Sequence, residues 1–381
     1  MKINKLILVI LPILFFMCGC NNTPKTDRFA PMKNNPKTDS IKTIKLEELE
    51  LESMESSYDG NLFVKSDSIY FVDKRFCWIF VFDKDGTLHT RHLGRGQGPQ
   101  EIASGIIDGY ACLNDGGYFF MGPGADCYIF DEQFQRTKMF IFRTRDDALT
   151  SDGLTGYERP WIYTPRYSDL TMRNYKEYLY YTVYSEYEDY NFIDSPNSYF
   201  KNVHIIEKLN LMTGEEEQVL GYFPDSYSED KSLRQLRYFF FDMDSKGNFY
   251  VAYEGDSLIY TFDQDYTPMT AFGYKGREMV DKPIVLDTES SSFWEEYAQN
   301  RKERGMYSGI VYIEETDILF RTYLKGADTG GGLQIYKESL LIGDVDVPNG
   351  FKIVGYIAPY YYACCGIDEE NEKIILYKFK L

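Results

Sequence analysis

Histidine is nearly absent from this chain: His89, His92 and His204 are the only three in 381 residues. His89 and His92 are three apart, so a strand carrying both points them to opposite faces, which argues against a metal pair. No Cys/His cluster has the spacing of a zinc site. Catalytic signatures are missing as well. There is no Gly-x-Ser-x-Gly elbow, and no Ser or Cys nucleophile motif accompanies a histidine. Carboxylates present the opposite problem. With 59 Asp and Glu, a glycosidase pair could be drawn almost anywhere and so cannot be located. Helix signals are few, and the apolar run Ile7–Met17 is too short to span a bilayer comfortably.

Cysteine is sparse and odd in number. Beyond Cys18 and Cys20 only Cys77, Cys112, Cys127, Cys364 and Cys365 remain, which excludes a complete disulfide framework. Cys77 and Cys127 sit in apolar, strand-like contexts and are expected as buried small hydrophobes. Cys364 and Cys365 are expected as reduced neighbours on opposite strand faces rather than a strained vicinal disulfide.

What is present starts at the amino terminus. Lys2 and Lys5 precede the apolar run, and Met17-Cys18-Gly19-Cys20 follows it. This arrangement resembles a bacterial lipoprotein signal, in which the leader is removed. The resemblance implies a lipid on the Cys20 sulfur and a membrane anchor, since two or more acyl chains hold stably. It places the chain in the cell envelope as an outer-membrane lipoprotein. Asn21-Asn22-Thr23 is not an acidic export tag, which favours the periplasmic leaflet. Residues 1–20 therefore read as a signal peptide, 21–40 as a polar tether, and 41–381 as the folded domain.

The formal charge is −18; losing the two leader lysines leaves −20. Such a field repels nucleic acid and anionic lipid headgroups, so no nucleic-acid partner is expected. About 360 residues after Cys20 exceed the usual single core. They imply several domains or one repeat-built domain. Aromatics reach 17%, with 34 Tyr and 27 Phe, which favours strands.

The repeat is legible. Trp78-Ile79-Phe80-Val81-Phe82-Asp83-Lys84-Asp85-Gly86 recurs as Cys127–Glu132, as His204–Asn210, as Leu258–Asp265 and, more faintly, as Leu333–Lys337. Asp83, Asp131 and Asp263 lie 48 and 132 residues apart, the wider gap holding one more unit. A period of roughly 45–60 residues with four strands per unit is a propeller pattern, and six units fit residues 41–381. The expected fold is all-β, a six-bladed β-propeller with a short helical insertion at Ser291–Gly305. Ile41–Leu46 is expected to close the ring against strands near Ile374–Leu381. Two sandwich domains are the alternative, but they would not explain the strand–Asp–turn unit.

The first unit carries Phe82-Asp83, Gly86, Gly94, Gly96, Gly98-Pro99 and Glu101. That pattern resembles the six-bladed β-propeller lipoproteins of Bacteroidota, relatives of NHL and TolB-type propellers. The resemblance implies an envelope location and a propeller fold, without a reaction. Residues 140–200 depart from it by a long Tyr-rich insertion.

Gly94–Glu101 is not a phosphate loop, because it lacks Gly-Lys-Ser/Thr and no helix follows. It reads as a sharp turn between units, where Arg95, Gln97 and Glu101 could meet a ligand or partner. Trp161, Tyr163 and Tyr167, with the Tyr175–Tyr190 cluster and Tyr360–Tyr362, could stack on sugars or anchor a protein; blade packing is the competing explanation. No catalytic residue, metal or cofactor is assigned. Two functions stay open: a non-catalytic binding or scaffold module for an envelope protein, peptide or glycan, which the scarcity of histidine favours, or a hydrolase or lyase acting on polysaccharide.

Overall fold

The computed structural model describes residues 30–31, 36–142, 154–166, 172–282, 290–368 and 370–381. Six antiparallel sheets form a ring. Blade 1 is Gly60–Lys65, Ser68–Asp73, Trp78–Asp83 and Leu88–Leu93. Blade 2 spans Gly109–Cys112 to Arg136–Ile141, blade 3 Met172–Tyr175 to Glu215–Leu220, and blade 4 Phe239–Met243 to Pro268–Phe272. Blade 5 spans Met306–Ile313 to Leu340–Val347. Blade 6 takes Lys352–Ile357, Tyr360–Asp368 and Lys373–Phe379 from the carboxyl terminus and Glu47–Glu50 from the other end of the chain. The chain is a six-bladed β-propeller with three α-helices among its described residues, the longest being Phe293–Glu303.

The recurring aspartates have a local cause. Asp83 Oδ1 accepts hydrogen bonds from the Asp85 and Thr87 amides (both 2.9 Å). Asp131 does the same for Gln133 and Gln135, and Asp263 for Asp265 and Thr267. Each fixes the hairpin between third and fourth strands as an Asx-type turn. All these hairpins therefore gather on one face of the ring. The linkers between blades gather on the other.

Ring closure differs in register from the sequence expectation. Glu47–Glu50 pairs with Lys378–Ile375, and Lys37–Ile41 instead lies parallel to the outer strand of blade 5. Ile44 and Leu46 pack, half-buried, on the core between blades 5 and 6. The apolar residues of 41–46 are thus used for packing. The closing strand is the acidic stretch after them, whose alternate residues face solvent. Ala30–Pro31 adds a parallel pairing to the outer strand of blade 4. The described residues before Ile41 therefore lie along the rim of blades 4 and 5. The expected helix forms as Phe293–Glu303, with Glu295 and Glu296 in its first turn and Arg301 and Lys302 in its last, as the helix dipole favours. The five cysteines after Cys20 are free thiols; Cys77, Cys127 and Cys364 are buried.

Aromatic rings fill the spaces between blades. Tyr361 and Tyr362 are 5% and 2% exposed, and Tyr361 stacks on Phe379 (5.5 Å). Two carboxyls break the apolar pattern. Glu207 and Glu216 are buried in blade 3. Tyr181 OH donates to Glu216 (3.1 Å), while neither Glu207 oxygen has a hydrogen-bond partner. Burial pushes Glu216 up to about 7 and Glu207 well above the usual carboxylate range. Unfolding releases these protons at the ordinary 4.5, so stability falls as pH rises from there through 7 and above. Nearby His204, buried and held down to about 4 from 6.5, acts in the opposite sense and only below pH 6.5. Above that pH His204 no longer contributes and the two glutamates lower the stability. Glu207→Gln should flatten the decline and stabilise the fold at pH 8, because a neutral amide need be neither protonated nor buried as an anion. Urea unfolding at pH 6 and pH 8 checks this; equal wild-type stability at both would refute it.

Candidate functional site: a cleft between blades 3 and 4

Blade 4 presents two different faces. Ile259 points into a cluster shared with blade 5. Leu258, Tyr260 and Phe262, the alternate residues, lie on the other face, as strand periodicity requires. Ala271 and Pro268 oppose Tyr260 and Phe262 on the outer strand. This face looks towards blade 3, and the blades part here to leave a cavity of about 1140 Å³.

Two linkers wall the cavity on the linker face of the ring. The first, residues 221–238, holds the short helix Asp225–Glu229 and the turn Lys231–Gln235, where Asp230 accepts from the Ser232 amide (2.8 Å). Its anchor is Tyr227, fully buried, whose OH donates to Leu236 O (2.7 Å) and accepts from Gly255 N (2.9 Å). The second linker leads from blade 4 to blade 5 and contains helix Phe293–Glu303. Arg301 at the end of that helix donates through Nη1 to Glu254 (3.0 Å) and Gln235 O (3.0 Å). Burial works against the Arg301 charge, but Glu254 more than offsets this and raises its pKa. Arg304 donates from Nη1 to Ser232 O (2.8 Å). One helix end thus clamps both linkers and the Glu254–Leu258 loop.

The lining is mainly apolar and aromatic, with Phe223, Leu233, Leu236 and Phe262 among its walls. Tyr266 closes the far end. Its φ is +58°, it stacks on Phe262 at 4.1 Å, and its OH is buried without a partner. Ser226 Oγ is likewise buried and unpartnered. Three of the five carboxylates in the lining are engaged, the first being Glu254, held by Arg301. Asp256 accepts from Leu258 N (2.9 Å) and Tyr260 OH (2.7 Å), while burial raises its pKa. Asp281 pairs with Lys275 (2.9 Å) at the exposed rim.

The central channel is better filled. Arg173 and Asp242, from the inner strands of blades 3 and 4, form an ion pair there, and Asp242 also accepts from Tyr312 N of blade 5 (2.8 Å). A gap of only about 110 Å³ lies beside them. Among the described residues no three His, Cys, Asp or Glu converge on a metal-sized point.

The residues singled out from sequence lie elsewhere. Arg95 Nε donates to Gly105 O (2.9 Å), Glu101 accepts from Gly98 N (2.7 Å), and Gln97 is exposed. All three belong to the linker between blades 1 and 2, where Gly96 has φ +148°, a conformation that side-chain-bearing residues rarely adopt. Trp161 falls in the turn Pro160–Ile162 before blade 3. Tyr163 is buried, its OH donating to Tyr157 O at 2.5 Å and accepting from His204 N at 2.8 Å. Tyr167 and Cys20 lie outside the described residues. Arg95, Gln97, Glu101 and Tyr163 do not line the cleft. The cleft's polar anchor, Arg304, falls within the expected helical segment Ser291–Gly305, immediately after the helix ends at Glu303.

These features define a six-bladed propeller with an interblade cleft. No family model and no curated protein matches the sequence. Solved structures match in fold. A member of the DUF4221 family from Bacteroides vulgatus ATCC 8482 aligns with TM-score 0.65 over 90% of this chain and 99% of its own, at 12% identity. A Bacteroides fragilis protein provisionally classed as exported gives 0.48, 92%, 97% and 13%. A luciferin-regenerating enzyme gives 0.44, 88%, 96% and 9%. The first of these likenesses shows the fold and no more.

Proposed function

We propose that this chain is a lipid-anchored propeller of the cell envelope, akin to the Bacteroidota propeller lipoproteins, that works as a non-catalytic binding module. The cleft between blades 3 and 4 is its ligand site. The observation that carries this reading is a cavity of about 1140 Å³ with an aromatic wall and an exposed rim, the usual character of a small-ligand site. Binding is favoured over hydrolysis because three of the five lining carboxylates, Glu254, Asp256 and Asp281, are already held by a hydrogen bond or ion pair.

Anchoring rests on Lys2, Lys5, the apolar run and Gly19-Cys20. Among the described residues no helix is long and apolar enough to cross a membrane. Cys20→Ala should move the protein from the membrane to the soluble fraction, because a lipid-free chain loses the hydrophobic gain of its acyl chains, roughly 0.8 kcal/mol per CH₂. Fractionation of cells carrying each form tests it, and a Cys20→Ala protein that stays with membranes refutes it. Cross-linking of the tagged native protein, with Cys20→Ala as control, tests the binding role. A stoichiometric protein lost with the anchor would identify a scaffold subunit. Polysaccharide turnover by the purified chain would instead establish the hydrolase or lyase reading.

A further inference from the structure

Arg304 is 5% exposed and lines the cleft. A guanidinium has five N–H donors, and this one spends a single hydrogen bond, on Ser232 O. Among the described residues no carboxylate lies within ion-pair distance of it. Asp281 is taken by Lys275 (2.9 Å), and Asp230 by the Ser232 amide (2.8 Å). Burying a charge without a counter-charge is costly. Arg321, also buried and without a carboxylate, is repaid by neutral acceptors on all three of its nitrogens, whereas Arg304 has one acceptor and faces the cavity. Burial lowers the Arg304 pKa, and the fields of Asp281 and Asp230 only partly offset this.

The remainder of the cavity is of another character. From Arg304 it runs beside the third strand of blade 4, whose four residues Ile259–Phe262 span about 13 Å at roughly 3.3 Å each. Leu258, Tyr260 and Phe262 form that wall, and Tyr266 ends it. Only the Ser226 and Tyr266 hydroxyls are buried there without partners. Glu229, Thr267, Lys275 and Asp281 line the exposed rim, while the wall within is apolar and aromatic, which suits a hydrocarbon body better than a sugar chain. An apolar body of medium length, carrying one anionic end, fits both halves.

We infer that the cleft binds an amphipathic carboxylate, with the carboxylate on Arg304 and the apolar body along Leu258, Tyr260 and Phe262. This rests on the cleft being the ligand site, as proposed above. The test compares decanoate, decanol and decylammonium by calorimetry with the full chain carrying Cys20→Ala. Decanoate should bind tightest, on the order of 30-fold above decanol, as expected for a buried charge pair. Arg304→Met should remove that difference, and Arg304→Lys should keep part of it. Because the ligand series needs no substitution, a misfolded Arg304 variant would not spoil the test. Decanol binding as well as decanoate, with both lost in a cavity-filling Leu258→Trp, would overturn the carboxylate and leave the cleft as a ligand site. No binding of any of the three would overturn both.

Discussion

A chain that begins at Leu51 should fail to close its ring, while one that begins at Ile44 should fold almost as well as the full domain. The difference is four residues of pairing. Glu47–Glu50 supplies the outer strand of blade 6, opposite Lys378–Ile375. The ladder continues directly into the next blade: Leu51 N donates to Ile374 O (3.0 Å), and Glu52 N to Gly86 O (2.8 Å). Glu52 then accepts from Leu88 N (2.9 Å). Leu51, Met54 and Tyr58 follow, all buried between blades 6 and 1. Without the strand, blade 6 ends at Lys373–Phe379, with a bare edge that invites pairing with other molecules. At about 0.5–1.5 kcal/mol per lost hydrogen bond, plus the burial of Leu49, the cost is on the order of 5 kcal/mol. At a few degrees per kcal/mol that is a drop of about 10 °C or more in Tm, accompanied by association. Removing 1–43 costs less, since among the described residues it takes the parallel rim pairings of Ala30–Pro31 and Lys37–Ile41 and the half-buried Ile41, and leaves every blade its four strands. Calorimetric melting of both shortened chains decides the matter. Equal Tm values would show that the ring does not depend on this strand.

Closure is also where sequence reading reached its limit. The hairpins were legible because an Asx turn is written within five residues, as at Asp83–Thr87. The helix was legible because its caps and charges are local. The closing strand meets its partner more than 300 residues away. Nothing local separates Ile41–Leu46 from Glu47–Glu50, and the apolar stretch looked the better strand. An outer strand has one solvent-facing side, so the acidic alternation was the truer signal.

The cleft was illegible for a related reason. Its walls come from residues 222–236, 253–271, 275–281 and 304–307, and no motif spans them. The Tyr-rich segments were readable as platforms or as blade packing, and Tyr163, Tyr180, Tyr181 and Tyr362 are core residues, as packing requires. A propeller needs broad rings between diverging blades, and that demand absorbs most of the aromatics. Buried polar residues were the better guide. Arg304 follows a helix, and Arg321 stands in the apolar strand Ile318–Leu324; a charge in such a run implies a partner network.

Arg321→Met should be the most damaging single substitution in blade 5. Arg321 is 0% exposed, and every acceptor it meets is neutral. Nε donates to Gln334 Oε1 (2.9 Å), Nη1 to Ser257 O (2.9 Å), and Nη2 to Tyr274 O (2.8 Å) and Tyr336 OH (3.1 Å). Its guanidinium carbon sits 3.9 Å from the centre of the Tyr307 ring. One side chain thus joins blade 5 to the Glu254–Leu258 loop of blade 4 and to the linker between the two blades. Methionine fills much of the volume and satisfies none of the acceptors. Two backbone carbonyls and a glutamine oxygen lose their donor in a dry interior, at about 1–3 kcal/mol for each group left unpaired. A total of roughly 3–5 kcal/mol is expected, in the range of a broken buried charge network. Arg321→Lys should recover only part, because an ammonium lacks the planar fork that reaches Gln334, Ser257 and Tyr274 together. The effect should extend to the cleft, since Ser257 and Tyr307 line it. Loosening the loop should weaken ligand binding even at temperatures where the variant is folded. Chemical denaturation with ligand titration at 15 °C separates the two effects. An Arg321→Met protein within 1 kcal/mol of wild type would mean the network stabilises far less than its geometry requires.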